Sequence, residues 1–170
     1  MSAALLLAAA VAASSAPTSV AVSSAAEVPF DAANYPRKTM SALRRSEPCP
    51  KKGGPVLKDV LFSQETRWHG VVRKTPPARL AALKAWTADI GDPGALPKYA
   101  EEATFVSGAG FEWVAVPEGL LAYLQMDLQA GDRVLLFMVL TGCADGEPVW
   151  GVDEYEVPKQ TPLEGQDELI

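Results

Sequence analysis

Apolar positions along the chain change their spacing several times, and each change marks an element. Residues 56–62 and 67–73 carry strand formers: Val56, Val60 and Phe62 in the first, Trp68, Val71 and Val72 in the second. Ser63-Gln64-Glu65-Thr66 reads as their connection. From Thr75-Pro76-Pro77 the spacing becomes helical, with Leu80, Leu83, Trp86 and Ile90 in one stripe. Thr75 can cap this helix, Pro76 suits its first position, and Gly91-Asp92-Pro93-Gly94 stops it. Residues 103–107 and 111–116 predict a hairpin around Gly108-Ala109-Gly110. Pro117 starts a second helix whose Leu120, Leu121, Leu124 and Leu128 line one face, and Gly131-Asp132 ends it. Residues 133–141 are continuously apolar, as in a strand buried on both faces. Asp145-Gly146 is a hairpin turn, and its partner strand over 148–157 is more polar, which places it nearer an edge.

This order predicts an α+β domain over 57–157: a curved antiparallel sheet or small open β-barrel of about six strands, with two helices packed on it. A partly open five-stranded barrel with a helix before its last hairpin is one version, and an α/β sandwich is the alternative. Ahead of it, residues 27–56 read as an extended arm punctuated by Pro29, Pro36, Pro48, Pro50, Gly53, Gly54 and Pro55, with a short helix over 39–46. Residues 158–170 read as a polar, flexible tail. A chain of 170 residues suits one such domain.

Residues 1–26 contain no charged side chain, and their Leu/Ala/Val run is too short to span a bilayer. The run fits the apolar core of a secretory signal peptide, with Ser24-Ala25-Ala26 as the cleavage site ahead of Glu27, although no Lys or Arg precedes it. No Cys sits where a lipid anchor would need one, and the longest later apolar run, 134–140, has strand length. The expectation is a periplasmic or secreted protein that is not an integral membrane protein. An oxidising compartment favours pairing Cys49 with Cys143, and two free thiols, one of them reactive, is the competing reading.

The net charge of −6 hides an asymmetry. Residues 37–84 sum to +9 and residues 85–170 to −13. Either the two halves pack against each other, or Arg44, Arg45, Lys51 and Lys52 form a patch for an anionic envelope component or an acidic envelope protein. Nucleic acid is not expected as a partner, because the pI near 4.8 is acidic and the basic stretch lacks interleaved aromatics.

Phe111, Trp113 and Val114, the helix over 120–128, Ala130-Gly131-Asp132-Arg133-Val134 and Leu140-Thr141-Gly142 follow one another in order. This last third of the chain resembles a pattern seen in uncharacterised exported bacterial proteins. The resemblance implies a bacterial envelope protein and assigns no catalytic residue.

Chemistry has few candidates. His69 is the sole histidine, and Cys143 is the nucleophile it would need for a small envelope hydrolase. A carboxylate pair from Glu101, Glu102, Glu112 and Glu118 could serve glycoside cleavage, with no pair favoured over another. Cys49, His69 and Cys143 lack metal-site spacing, and Asp145, Glu147, Asp153 and Glu154 lack the ligand spacing of a calcium loop. No phosphate loop or dinucleotide fingerprint is present, and no cofactor is expected. The four tryptophans suit a common core; Trp68 and Trp113, if they face outward, could instead stack a sugar or a peptide. The favoured reading is a non-enzymatic binding module. A hydrolase and a structural accessory domain are the alternatives.

Overall fold

The computed structural model describes residues 30–50, 54–108 and 110–158. Its order is helix α1 (Met40–Ser46), strand β1 (Gly54–Lys74), helix α2 (Pro77–Asp89), strands β2 (Glu101–Ser107) and β3 (Gly110–Val116), helix α3 (Glu118–Asp127), and strands β4 (Arg133–Ala144) and β5 (Glu147–Glu156). Short 3₁₀ helices cover Ala32–Asn34 and Pro93–Tyr99. The expected signal segment 1–26, the residues Lys51 and Lys52, and the tail beyond 158 lie outside the described residues.

The chain is α+β, with a mixed five-strand sheet in place of the expected six or so. The missing strand comes from a merger. The two strands expected over 56–62 and 67–73 are one 21-residue strand, β1. Its supposed connection, Ser63-Gln64-Glu65-Thr66, continues the strand alternation: Phe62, Gln64, Thr66 and Trp68 are all buried, while Glu65 and Arg67 are exposed. Gln64 can sit inside because its side-chain oxygen accepts the Met40 N–H at 2.6 Å and its amide donates to Ser107 Oγ.

A strand of this length can serve two neighbours in turn. β1 pairs antiparallel with β4 up to Arg67, then with β2 from Arg67 to Lys74. The changeover is marked by a bulge between Trp68 and Val72 that holds Gly70 at φ +85°, where a Cβ is disfavoured. The full order is β1-β2-β3-β5-β4, and β4 returns to β1, so the sheet closes on itself as a barrel. The closing seam is a parallel pairing of β3 with β5 at Val114–Trp150 and Ala115–Gly151. β5 is therefore no edge strand. It lies between β3 and β4, and Pro148 to Val152 are buried.

All five strands put apolar side chains into one interior cluster, including Phe62, Trp68, Phe105, Val114, Leu136, Met138, Leu140 and Trp150. Because β3 and β5 run parallel, the β2–β3 and β4–β5 turns fall at the same end of the barrel. Helix α1 stops that end with Met40 and Leu43. Its Thr39 hydroxyl accepts the Ala42 N–H at 3.1 Å as an N-cap, and its Arg44 reaches Glu112 and Glu147 beside the two turns. Helix α3 bridges β3 to β4 at the other end and fills it with Leu121, Leu124 and Leu128.

A second cluster lies outside the barrel. Helix α2 begins at Pro77, with Pro76 at its N-cap, and not at a Thr75 cap: the Thr75 hydroxyl donates instead to Tyr99 O at 2.9 Å. Its buried residues are Ala82, Leu83, Trp86 and Thr87, while Ile90 is exposed. They pack with Tyr99 on Ala115, Val139, Ala144 and Val149 of β3, β4 and β5. The arm packs beside them: the rings of Phe30 and Tyr35 lie against Phe137 of β4, and the Tyr35 hydroxyl donates to Asp153 at 2.9 Å. Burial, then the Asp153 carboxylate, hold the Tyr35 phenol well above its ordinary pKa.

Cys49, just after α1, is bonded to Cys143 of β4 across 94 residues of sequence. In the loop-entropy picture such a link stabilises by about 4–5 kcal/mol. Replacing both cysteines with serine should lower the urea midpoint and raise the m-value, read by far-UV circular dichroism, because the uncrosslinked unfolded chain exposes more surface. An unchanged midpoint would mean that α1 is seated without help from the bond.

Candidate functional site

The coverings described above leave most of one outer face bare. Helix α2 and the arm occupy the outside of β4 and β5. The outside of β2, β3 and the second half of β1 is covered at one end, where Arg79 of α2 reaches Glu102 and Ala115 packs in the α2 cluster, and the rest carries no element of the described chain.

Strand register arranges this face in three rows. Arg67, Val106 and Phe111 lie opposite one another in the first. Thr104 and Trp113 form the second, with His69 and Val71 at the bulge of β1. Arg73, Glu102 and Ala115 form the third. The period of two that sends Phe105, Val114 and Val116 inward sends these residues outward.

Phe111 is 63% exposed, a large fraction for a phenylalanine on a strand. One side of its ring meets the His69 imidazole, centroid to centroid 4.5 Å. Val71, beside it, is also exposed. Trp113 is half-buried, and the Arg73 guanidinium lies 3.8 Å above its ring centroid.

His69 Nδ1 meets the Thr104 hydroxyl at 2.9 Å. That hydroxyl has one hydrogen, which goes either to Nδ1 or to Val71 O at 3.2 Å. With the hydrogen on Val71 O, the imidazole donates from Nδ1. In that neutral tautomer Nε2 is left as an acceptor.

Beneath the third row sits Glu102, with no solvent exposure. Its Oε2 accepts from Arg73 Nε at 3.0 Å and Nη2 at 2.9 Å, and its Oε1 accepts from Arg79 Nε. Arg79, from α2, also donates to Trp113 O at 3.0 Å and Pro148 O at 3.2 Å. A buried carboxylate is tolerable because two guanidiniums compensate it. The same contacts hold the Arg73 guanidinium over the Trp113 ring.

The other predicted residues are dispersed. Arg44 is matched by Glu112 at 2.7 Å and Glu147 at 3.5 Å, and Arg45 donates to Ser41 Oγ on its own helix. Cys143 is in the disulfide, which leaves the thiol route without a nucleophile. Glu101 pairs with Lys74 at 2.8 Å, Glu102 and Glu112 are held by arginines, and Glu118 opens α3. Asp153 accepts from Tyr35, and Glu154 accepts from the Tyr155 N–H. Among the described residues no three His, Cys, Asp or Glu side chains converge as a metal would require.

The tryptophans do not share one core. Trp68 and Trp150 are in the barrel, Trp86 is in the outer cluster, and Trp113 faces outward. Of the aromatic pair weighed for stacking, Trp113 is on the bare face and Trp68 is 3% exposed inside. Phe111, Arg67 and Arg73 were missed. The usable signal was alternation: Phe111 and Trp113 are two apart on one strand and must share a face. The aromatics within the basic stretch, Phe62 and Trp68, point into the barrel, and β3 supplies the outward ones from across the sheet. No protein-family model matches the chain, and no curated protein is significantly similar to it.

The face and its support should separate in stability measurements. Glu102→Ala leaves Arg79, whose side chain is 13% exposed, without its anion, and should cost about 3–5 kcal/mol in urea unfolding. Phe111→Ala should stay within about 0.5 kcal/mol of the parent, as an exposed substitution does. A loss above 1 kcal/mol in Phe111→Ala would make that ring a packing element.

Proposed function

We propose that this chain is an exported protein of the bacterial envelope, periplasmic or secreted, that acts as a non-enzymatic binding module. Its ligand lies on the outer face of β1, β2 and β3. The observation that carries this reading is Phe111, a 63% exposed ring held against His69 beside a tryptophan already stacked by an arginine. No described element covers this ring, and with the exposed Val71 and the His69 ring it belongs to a patch of the kind that marks interaction sites.

Three further points support it. The ring order, with a helix between the third and fourth strands, is that of five-stranded Greek-key barrels that take oligonucleotides or oligosaccharides on their β2–β3 face. That likeness is one of fold and sets only a starting expectation. The Cys49–Cys143 bond suits an oxidising compartment. No helix among the described residues is long and apolar enough to cross a membrane.

The ion pairs Arg44–Glu112, Arg73–Glu102, Lys74–Glu101 and Arg79–Glu102 each join the basic stretch to the acidic half. They favour self-complementary packing over the Arg44, Arg45, Lys51, Lys52 patch as the use of the charge asymmetry. They also support the structural accessory reading, which leaves Phe111 unexplained.

Two measurements test the proposal. Protein recovered from the periplasm or medium of a bacterial host should have an intact mass placing its N-terminus near Glu27, and neither cysteine should alkylate. The purified protein should co-sediment with insoluble bacterial envelope, and Phe111→Ala should reduce the bound fraction at least tenfold. Equal sedimentation of parent and variant would remove the β1–β2–β3 face from consideration.

A further inference from the structure

We infer that the ligand of this face is a carboxylated oligosaccharide, a sugar chain of the hexuronate type, with one ring stacked on Phe111 and a carboxylate received by Arg73. This rests on the face being a binding site and adds the chemistry of what it binds.

Ring and charge are offered side by side. Phe111 presents a flat apolar surface, which suits the C–H face of a pyranose as well as any planar group. Arg67 lies across Val106 from it, in the same row. Arg67 is exposed and uses Nη1 on Gly131 O at 2.9 Å. Arg73 is committed to Glu102 through Nε and Nη2, so Nη1 is the edge it can turn to a ligand. Its stacking on Trp113 holds the guanidinium plane before the ligand arrives, which reduces the ordering cost of binding. Guanidinium is the side-chain group best matched to a carboxylate.

His69 adds a polar contact that a sugar can satisfy. A sugar hydroxyl both donates and accepts, so it pairs with Nε2 in either tautomer of the ring. A phosphodiester chain would instead need a series of cations, since its affinity comes from neutralising several phosphates. The face does not hold them. Lys74 is tied to Glu101 and Arg79 is spent beneath the surface, which leaves Arg67 and Arg73. Two arginines set two rows apart, Arg67 beside Phe111 and Arg73 on Trp113, suit a chain whose charges are spaced, on a protein of net charge −6.

The probes are oligogalacturonate, its methyl ester and a twelve-residue oligothymidylate, titrated against the full mature protein at low and at physiological salt. The acid and the ester share their rings and differ in carboxylate charge. Oligogalacturonate should bind at least tenfold more tightly than the ester at low salt, and the preference should shrink as salt rises. Arg67→Gln and Arg73→Gln should each reduce the preference, Arg73→Lys should reduce it less, and Phe111→Ala should weaken acid and ester alike. Arg67 supports no buried group, so its variant keeps the test valid if Arg73→Gln fails to fold.

Equal binding of acid and ester would overturn the carboxylate assignment while leaving the face in place. Tighter binding of oligothymidylate would replace the sugar chain with single-stranded nucleic acid. Failure of all three probes alongside Phe111-dependent retention on envelope would overturn this inference alone. Failure of that retention as well would overturn the binding face with it.

Discussion

Glu102 is the point on which the outer layer of this protein turns. A carboxylate with no access to water is held there by a guanidinium from β1 and another from α2. The second guanidinium also reaches the backbone of β3 and β5. Centred on this one group, four strands and one helix are joined that apolar packing alone would only place near one another. Its desolvation is acceptable only with both partners in position. The contact thus specifies where α2 docks, and which outer face α2 leaves uncovered.

That choice shapes what the molecule can offer. Closure ties up most strand edges of the sheet, through a seam of two residue pairs, Val114–Trp150 and Ala115–Gly151. What remains is its outer wall and its ends. Helices α1 and α3 fill the ends, and α2 with the aromatic arm covers β4 and β5. The remaining wall is where Phe111 and Trp113 emerge, and the bulge around Gly70 sets His69 beside them. Residues that stiffen this wall, Glu102 and Thr104, are buried; those that meet solvent, Phe111 and Val71, contribute little to the core.

Much of this was readable in the sequence, and the failures share a cause. The elements that announce themselves by local pattern came through: the α3 leucines, the apolar β4 run, the Asp145-Gly146 turn and the short helix capped by Thr39. β1 did not, because Ser63-Gln64-Glu65-Thr66 looks polar unless one knows that a helix N–H and Ser107 wait inside for Gln64. β5 looked like an edge because its second half is acidic, and only the parallel seam with β3 explains its buried first half. The face was hidden for the same reason. Its aromatics come from β3 and its cations from β1, 38 residues or more away in sequence, and local composition cannot report a row assembled across three strands.

The ring order also dictates when the protein can exist. β1 needs β4 as a partner, the parallel seam needs β5, and Cys49 needs Cys143. None of these can form until nearly the whole of the described chain is available. No N-terminal fragment has a barrel to fold into, and β1 must wait with its inward side chains uncovered. A topology built on such distant pairings closes slowly, and the Cys49–Cys143 bond can seal it only once both ends of the barrel are in place.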